Sequence, residues 1–147
     1  DKYKEPYVIE FNTRFGDPET QAVLPVVKSD FLELLLASAE GRIGEYKLEN
    51  TNEHCASIVL ASKGYPDKYE TGKEITGLDK ITNDCVVFHA GTKAENGKVL
   101  SAGGRVLNIT GRYSKDLKAA IDIAYRNAEI INFENKIYRK DIGQKGL

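Results

Sequence analysis

Residues 10–21 read Glu10-Phe11-Asn12-Thr13-Arg14-Phe15-Gly16-Asp17-Pro18-Glu19-Thr20-Gln21. They follow the β-rich run Pro6-Tyr7-Val8-Ile9, so residues 6–12 are expected to form a strand with Val8, Glu10 and Asn12 on one face. A turn over residues 13–17 then leads into Asp17-Pro18, which reads as an N-cap followed by proline at the first helical position. That helix is short, because Pro25 interrupts it. A second helix is expected to start near Ser29 or Asp30, to carry Phe31, Leu32, Leu34, Leu35 and Leu36, and to stop at Gly41. Residues 1–40 thus read as a strand–helix–helix annex.

Beyond it the pattern changes, and residues 41–147 read as an α+β domain with an antiparallel sheet and one long packing helix. Residues 53–62 are β-like, with Ile58-Val59-Leu60 at their centre. Residues 63–77 hold Gly64, Pro66, Gly72 and Gly77 and read as irregular. Residues 85–90 and 105–109 read as further strands, and Asn96-Gly97 between extended runs signals a hairpin. Ser114 is expected to cap a helix over residues 115–131. There Leu117, Ala120, Ile121, Ala124, Ala128 and Ile131 recur at helical spacing.

Composition removes several function classes. Lys plus Arg is 21 against 22 Asp plus Glu, so no broad field draws the chain to nucleic acid or to an anionic membrane. There is no apolar run of about 20 residues, so no membrane-spanning helix is expected. Residues 1–5 are not followed by the apolar core of a signal peptide, and the chain contains no methionine, so Asp1 reads as a cut end. Cys55 and Cys85 lie far apart without a Cys or His at metal-ligand spacing. They read as free thiols of a cytoplasmic protein.

Chemistry concentrates in residues 10–21. On a strand, residues two apart share a face, about 7 Å apart at Cα. Glu10 and Asn12 would present two hard oxygen ligands there, the kind that Mg²⁺ takes in small number beside water and phosphate. Arg14 follows at the same spacing and suits a phosphate or acyl phosphate oxygen. The plainer alternative is the solvated face of an edge strand, since Glu-x-Asn alone is a weak motif. Downstream, Arg105 on a Gly103-Gly104 turn is a candidate phosphate contact or a solvated strand residue. His89 reads as a structural, hydrogen-bonded histidine, and Tyr65-Pro66 as a loop-shaping pair.

The block Glu10 to Gln21 closely resembles the signature of glycinamide ribonucleotide synthetases (phosphoribosylamine–glycine ligases) of the ATP-grasp superfamily. His89-Ala90-Gly91-Thr92, Gly103-Gly104-Arg105-Val106-Leu107, Gly64-Tyr65-Pro66 with Gly72-Lys73-Glu74-Ile75-Thr76-Gly77, and Tyr138-Arg139-Lys140-Asp141-Ile142-Gly143 resemble its later motifs, in the family's order. The resemblance implies that residues 1–40 end an ATP-grasp domain and that 41–147 form the family's C-domain. It implies Glu10 and Asn12 as ligands of Mg²⁺ (or Mn²⁺) bridging ATP phosphates, and Arg14 as the group that stabilises the transferring phosphoryl. Asp17 and Glu19 become candidates for contacting the amine substrates, and Arg105 for a phosphate. The implied partners are ATP, glycine and 5-phosphoribosylamine, joined through glycyl phosphate. The nucleotide-fold domain and most of the ATP-grasp unit have no counterpart in these residues, so this chain alone is expected to be inactive. Its annex strand is expected to be displaced, swapped or paired edge to edge in a homodimer. The competing reading is a non-catalytic binding or assembly module of another ATP-grasp ligase or carboxylase. The stretch Gly16-Asp17-Pro18-Glu19-Thr20-Gln21 argues against a biotin-carboxylase-like partner.

Overall fold

In the computed structural model, which describes residues 6–147, the strands are β1 (His54–Ser62), β2 (Cys85–His89), β3 (Thr92–Glu95), β4 (Lys98–Ser101), β5 (Arg105–Tyr113) and β6 (Lys136–Ile137). The helices are α1 (Thr20–Val23), α2 (Phe31–Ala39) and α3 (Leu117–Ile130). The expectations for residues 1–5 lie outside the described residues.

The pairing of β1 with β5 decides the architecture. The two strands pair antiparallel, Ile58 opposite Ile109 and Leu60 opposite Leu107, and all four side chains are fully buried. Burying such a side chain contributes about 1.5–3 kcal/mol. β2 joins β5 on its other side and β6 joins β1, giving the order β2-β5-β1-β6. α3 covers one face through Ala120, Ile121, Ala124 and Ala128, followed by Ile131, as the helical spacing predicts. Its cap differs from expectation. Asp116, not Ser114, is the N-cap, and its carboxylate accepts from the Ala119 amide at 2.7 Å. A carboxylate there also meets the positive end of the helix dipole. β3 and β4 form the expected hairpin. Asn96 and Gly97 both take positive φ (52° and 75°), the geometry of a type I′ turn.

The annex departs from its sequence reading in two places. Residues 6–13 form no strand, because no neighbouring strand among the described residues completes a hydrogen-bond ladder with them. Asp17 does not cap α1. Glu19 holds that position without a side-chain hydrogen bond, and the Asp17 carboxylate is drawn instead to Gln21 and Arg105. α2 starts where predicted: Asp30 accepts from the amides of Leu32 and Glu33 at 2.9 and 3.2 Å. It packs little, burying only Ala37, while Leu32, Leu35 and Leu36 stay exposed. The chain leaves at Lys28 and returns at Glu49, where the Lys28 amide donates to the Glu49 carbonyl at 2.8 Å.

α1 lies on the sheet face opposite α3. Gly111 faces α3, so its neighbour Thr110 faces the annex. Thr110 Oγ1 is 3.0 Å from both the Gln21 carbonyl oxygen and Ser57 Oγ, so it donates to the first and accepts from the second. Arg112 reaches the Pro25 carbonyl at 3.4 Å. Polar contacts from the sheet to the backbone of residues 21 and 25 therefore hold the annex in place.

Candidate functional site

The residues singled out in 10–21 fall into two groups. Glu10, Asn12 and Arg14 are exposed. Asn12 Nδ2 donates to Glu10 Oε1 at 2.9 Å, so the two side chains sit on one side of the chain even without a strand. Arg14 Nη1 donates to the Phe15 carbonyl at 2.8 Å. Among the described residues no cluster of three or more His, Cys, Asp or Glu side chains is arranged to hold a metal ion. Glu10 and Asn12 form a smaller donor set of one carboxylate and one amide.

Asp17 forms the second group with Arg105, 88 positions away. Arg105 Nη1 donates to the Asp17 carbonyl oxygen and lies 3.2 Å from its carboxylate, while Gln21 Nε2 donates to the same carboxylate at 3.1 Å. The two substrate candidates read from separate motifs are thus in direct contact. The Arg105 guanidinium carbon lies 5.8 Å from the centroid of the Tyr65 ring, within cation–π range. Burial works to lower the Arg105 pKa, but the neighbouring Tyr65 and Asp17 outweigh it and hold it above the ordinary value. Arg105 is therefore a fixed cation. Glu19 is exposed one turn away, and its carbonyl, not its carboxylate, accepts from the Ala22 and Val23 amides at 3.0 Å.

Pro18, Val59, Tyr65, Arg105 and Tyr138 border a cleft of about 510 Å³ between the annex and the sheet. That volume falls in the range of small-molecule sites. Its walls are mostly apolar, and Arg105 supplies a cation at its rim. His89 lies apart from it, with Nδ1 2.9 Å from Thr92 Oγ1, the structural hydrogen bond expected of it. Cys55 and Cys85 are free thiols. Burial raises both pKa values, that of Cys85 to about 11, so neither is an activated nucleophile. Tyr65 is the site residue that sequence reasoning underrated. No local spacing signals a contact across 40 positions, and only the tight Gly103-Gly104 turn beside Arg105 hinted at one.

The family model described as phosphoribosylglycinamide synthetase, C domain, matches residues 55–145. The chain belongs to the phosphoribosylglycinamide synthetase family. The C-domain match spans all six strands but the first residue of β1, and all of α3. The chain is 48% identical over 137 residues to a phosphoribosylamine–glycine ligase of Caldanaerobacter subterraneus, covering 93% of this chain and 32% of that protein. It is likewise 48% identical over 145 residues to one of Chlorobaculum tepidum, covering 97% and 34%. A crystal structure of phosphoribosylamine–glycine ligase from Thermotoga maritima superposes with a TM-score of 0.78 at 36% identity, over 93% of this chain and 33% of that one. The synthetase C-domain chain therefore spans about a third of the length of these relatives. Among the described residues no helix is long and apolar enough to cross a membrane.

Proposed function

We propose that this chain is the C-terminal part of a cytoplasmic, ATP-dependent ligase that joins glycine to 5-phosphoribosylamine through glycyl phosphate in purine biosynthesis. The observation that carries the reading is the family match over residues 55–145, to which the annex is joined through the Asp17–Arg105 contact. The exposed apolar side chains of the annex support it. Tyr7, Val8, Ile9, Phe11, Leu32 and Leu36 all face solvent here, an arrangement expected where further protein packs. Residues 1–40 then belong to the ATP-grasp unit and 41–147 to the C-domain.

Glu10 and Asn12 are the residues proposed to hold Mg²⁺ or Mn²⁺. Their side chains already touch, and a carboxylate with an amide oxygen is a hard donor pair that fits part of an octahedral shell. Asn12 now points its Nδ2 at Glu10, so ligation requires the amide to turn and offer Oδ1. The ion would withdraw charge from ATP phosphate oxygens. Arg14 gives up its single backbone contact to neutralise the phosphoryl group as the glycine carboxylate attacks it. The amine of phosphoribosylamine then displaces phosphate, and Asp17 and Glu19 are the residues proposed to contact the amine substrates. Arg105 is the residue proposed to meet a phosphate. The apolar cleft wall keeps water from the acyl phosphate.

The test uses the full-length ligase carrying this chain. Glu10→Ala and Asn12→Ala should each raise the Mg²⁺ concentration needed for half-maximal rate and lower kcat by roughly 100-fold or more, in the range for lost electrostatic stabilisation. Rates and Mg²⁺ dependence equal to wild type would remove the metal assignment. The 147-residue chain alone should not turn over ATP with glycine and phosphoribosylamine, and detectable product would refute the division of labour.

A further inference from the structure

Tyr65, Gly104, Arg105 and Asp17 form one stack from the loop after β1 to the first turn of the annex. Gly104 is buried, and a Cβ there would lie 2.1 Å from Tyr65 Cδ2 and 2.9 Å from Tyr65 Cγ. Those atoms sit at the root of the ring and cannot swing aside without moving the whole side chain. The turn that carries Gly104 is itself pinned to β1: the Ser62 amide donates to the Gly104 carbonyl at 2.8 Å and Ser62 Oγ to the Gly103 carbonyl at 3.0 Å. Glycine at 104 therefore clears the space that the Tyr65 ring fills. The ring in turn lies against the Arg105 guanidinium, whose Nη1 holds both the carbonyl and the carboxylate of Asp17. A half-exposed ion pair on its own is weak. A guanidinium with one face against a ring has fewer directions open to it, so its aim at Asp17 is set by Tyr65.

We propose that Tyr65 is a positioning residue: it fixes Arg105, and through it clasps the loop of residues 14–19 to the sheet. The catalytic consequence rests on the ligase reading above, because Arg14, Asp17 and Glu19 lie on that loop. Loosening the clasp leaves every substrate contact present but misplaced, and misplacement of about 1 Å costs up to roughly 100-fold in rate.

Two measurements test this, and the first needs no substrate. In the 147-residue chain, amide exchange at Thr20 and Val23, which donate to the Gly16 and Glu19 carbonyls, reports the clasp. Ile58 and Ile109 report the core. Tyr65→Leu and Gly104→Ala should each speed exchange at Thr20 and Val23 roughly tenfold and leave the core amides unchanged. The double variant Tyr65→Ala/Gly104→Ala should be no worse than Tyr65→Ala, because the ring that clashes is gone. Unchanged exchange in both single variants, or additive losses in the double, overturns the proposal. In the full-length ligase the same variants should lower kcat by roughly 10- to 100-fold with KM for ATP within about twofold. A raised KM at unchanged kcat also overturns it. A wild-type parent without ligase turnover would instead sink the ligase reading, and the exchange result alone would then decide the clasp.

Discussion

Raising the pH should selectively weaken the fold through Cys85. Its side chain is buried at the start of β2, within the core that also contains Ile109 and Ile123. Desolvation, with the neighbouring Asp84 charge adding to it, lifts the thiol from 9.0 to about 11. The unfolded chain therefore loses this proton first. Well below pH 9 both states keep it and nothing is lost. Between pH 9 and 11 the folded state binds more protons than the unfolded state, so stability falls as pH rises. Two pKa units correspond to about 2.7 kcal/mol at full titration, and about 1.4 kcal/mol of that is lost by pH 10. Other groups titrate in the same range, so the useful quantity is the difference from Cys85→Ala, which lacks the thiol. Urea unfolding of both proteins under reducing conditions from pH 7 to 10.5 measures it. The stability advantage of wild type over the variant should be constant to about pH 8.5 and then shrink. Parallel curves across the whole range would refute the claim that this thiol is held neutral by burial.

Further outcomes follow from close contacts elsewhere. Gly111→Ala would place a Cβ 2.3 Å from the Ala120 carbonyl oxygen and 2.6 Å from the Ala124 amide nitrogen. Both are backbone atoms, so α3 must move off the sheet, and a loss of roughly 1–3 kcal/mol is expected in denaturant unfolding. Wild-type stability there would show that the strand–helix spacing is looser than described. Asn127→Leu removes the acceptor for the Thr82 amide (3.0 Å) and the donor to the Ile123 carbonyl (2.9 Å). It should cost about 1–3 kcal/mol, with increased exchange at the Thr82 amide as the local signature. Lys136→Met strips Nζ from the Ala128 carbonyl (2.9 Å) and from the Ile131 carbonyl at the end of α3. Fraying of the last turn, read as faster exchange at Ile130 and Ile131, is the expected result, and unchanged exchange would rule out the lysine as a cap.

Much of the fold could be read from the chain because it is written in local patterns. The apolar runs at the centre of β1 and β5, the α3 stripe, the Asn96-Gly97 turn and the Asp30 cap each depend on residues within a turn or a strand of one another. Their errors are also local in kind. Asp116 outcompeted Ser114 two residues away, and β6 is too short at two residues to announce itself. Residues 6–12 carry a strand's composition, but a strand exists only where a partner supplies the other half of its hydrogen bonds. The buried Asn127, paired with Thr82 across 45 positions, had no signal in helical spacing at all.

The sequence alone determined the family and the ligand chemistry available to it. The motif from Glu10 to Gln21 and the four later blocks are linear, and a carboxylate, an amide and a guanidinium keep their chemistry wherever they sit. Tertiary structure alone decided which of those groups meet. It brought Asp17 to Arg105 across 88 positions, laid Tyr65 against the same guanidinium, and left Glu10, Asn12 and Arg14 on an exposed arm. The physical reason is that side-chain contacts between distant segments are set by sheet register and by the space a glycine leaves, and neither is a property of any short stretch of chain.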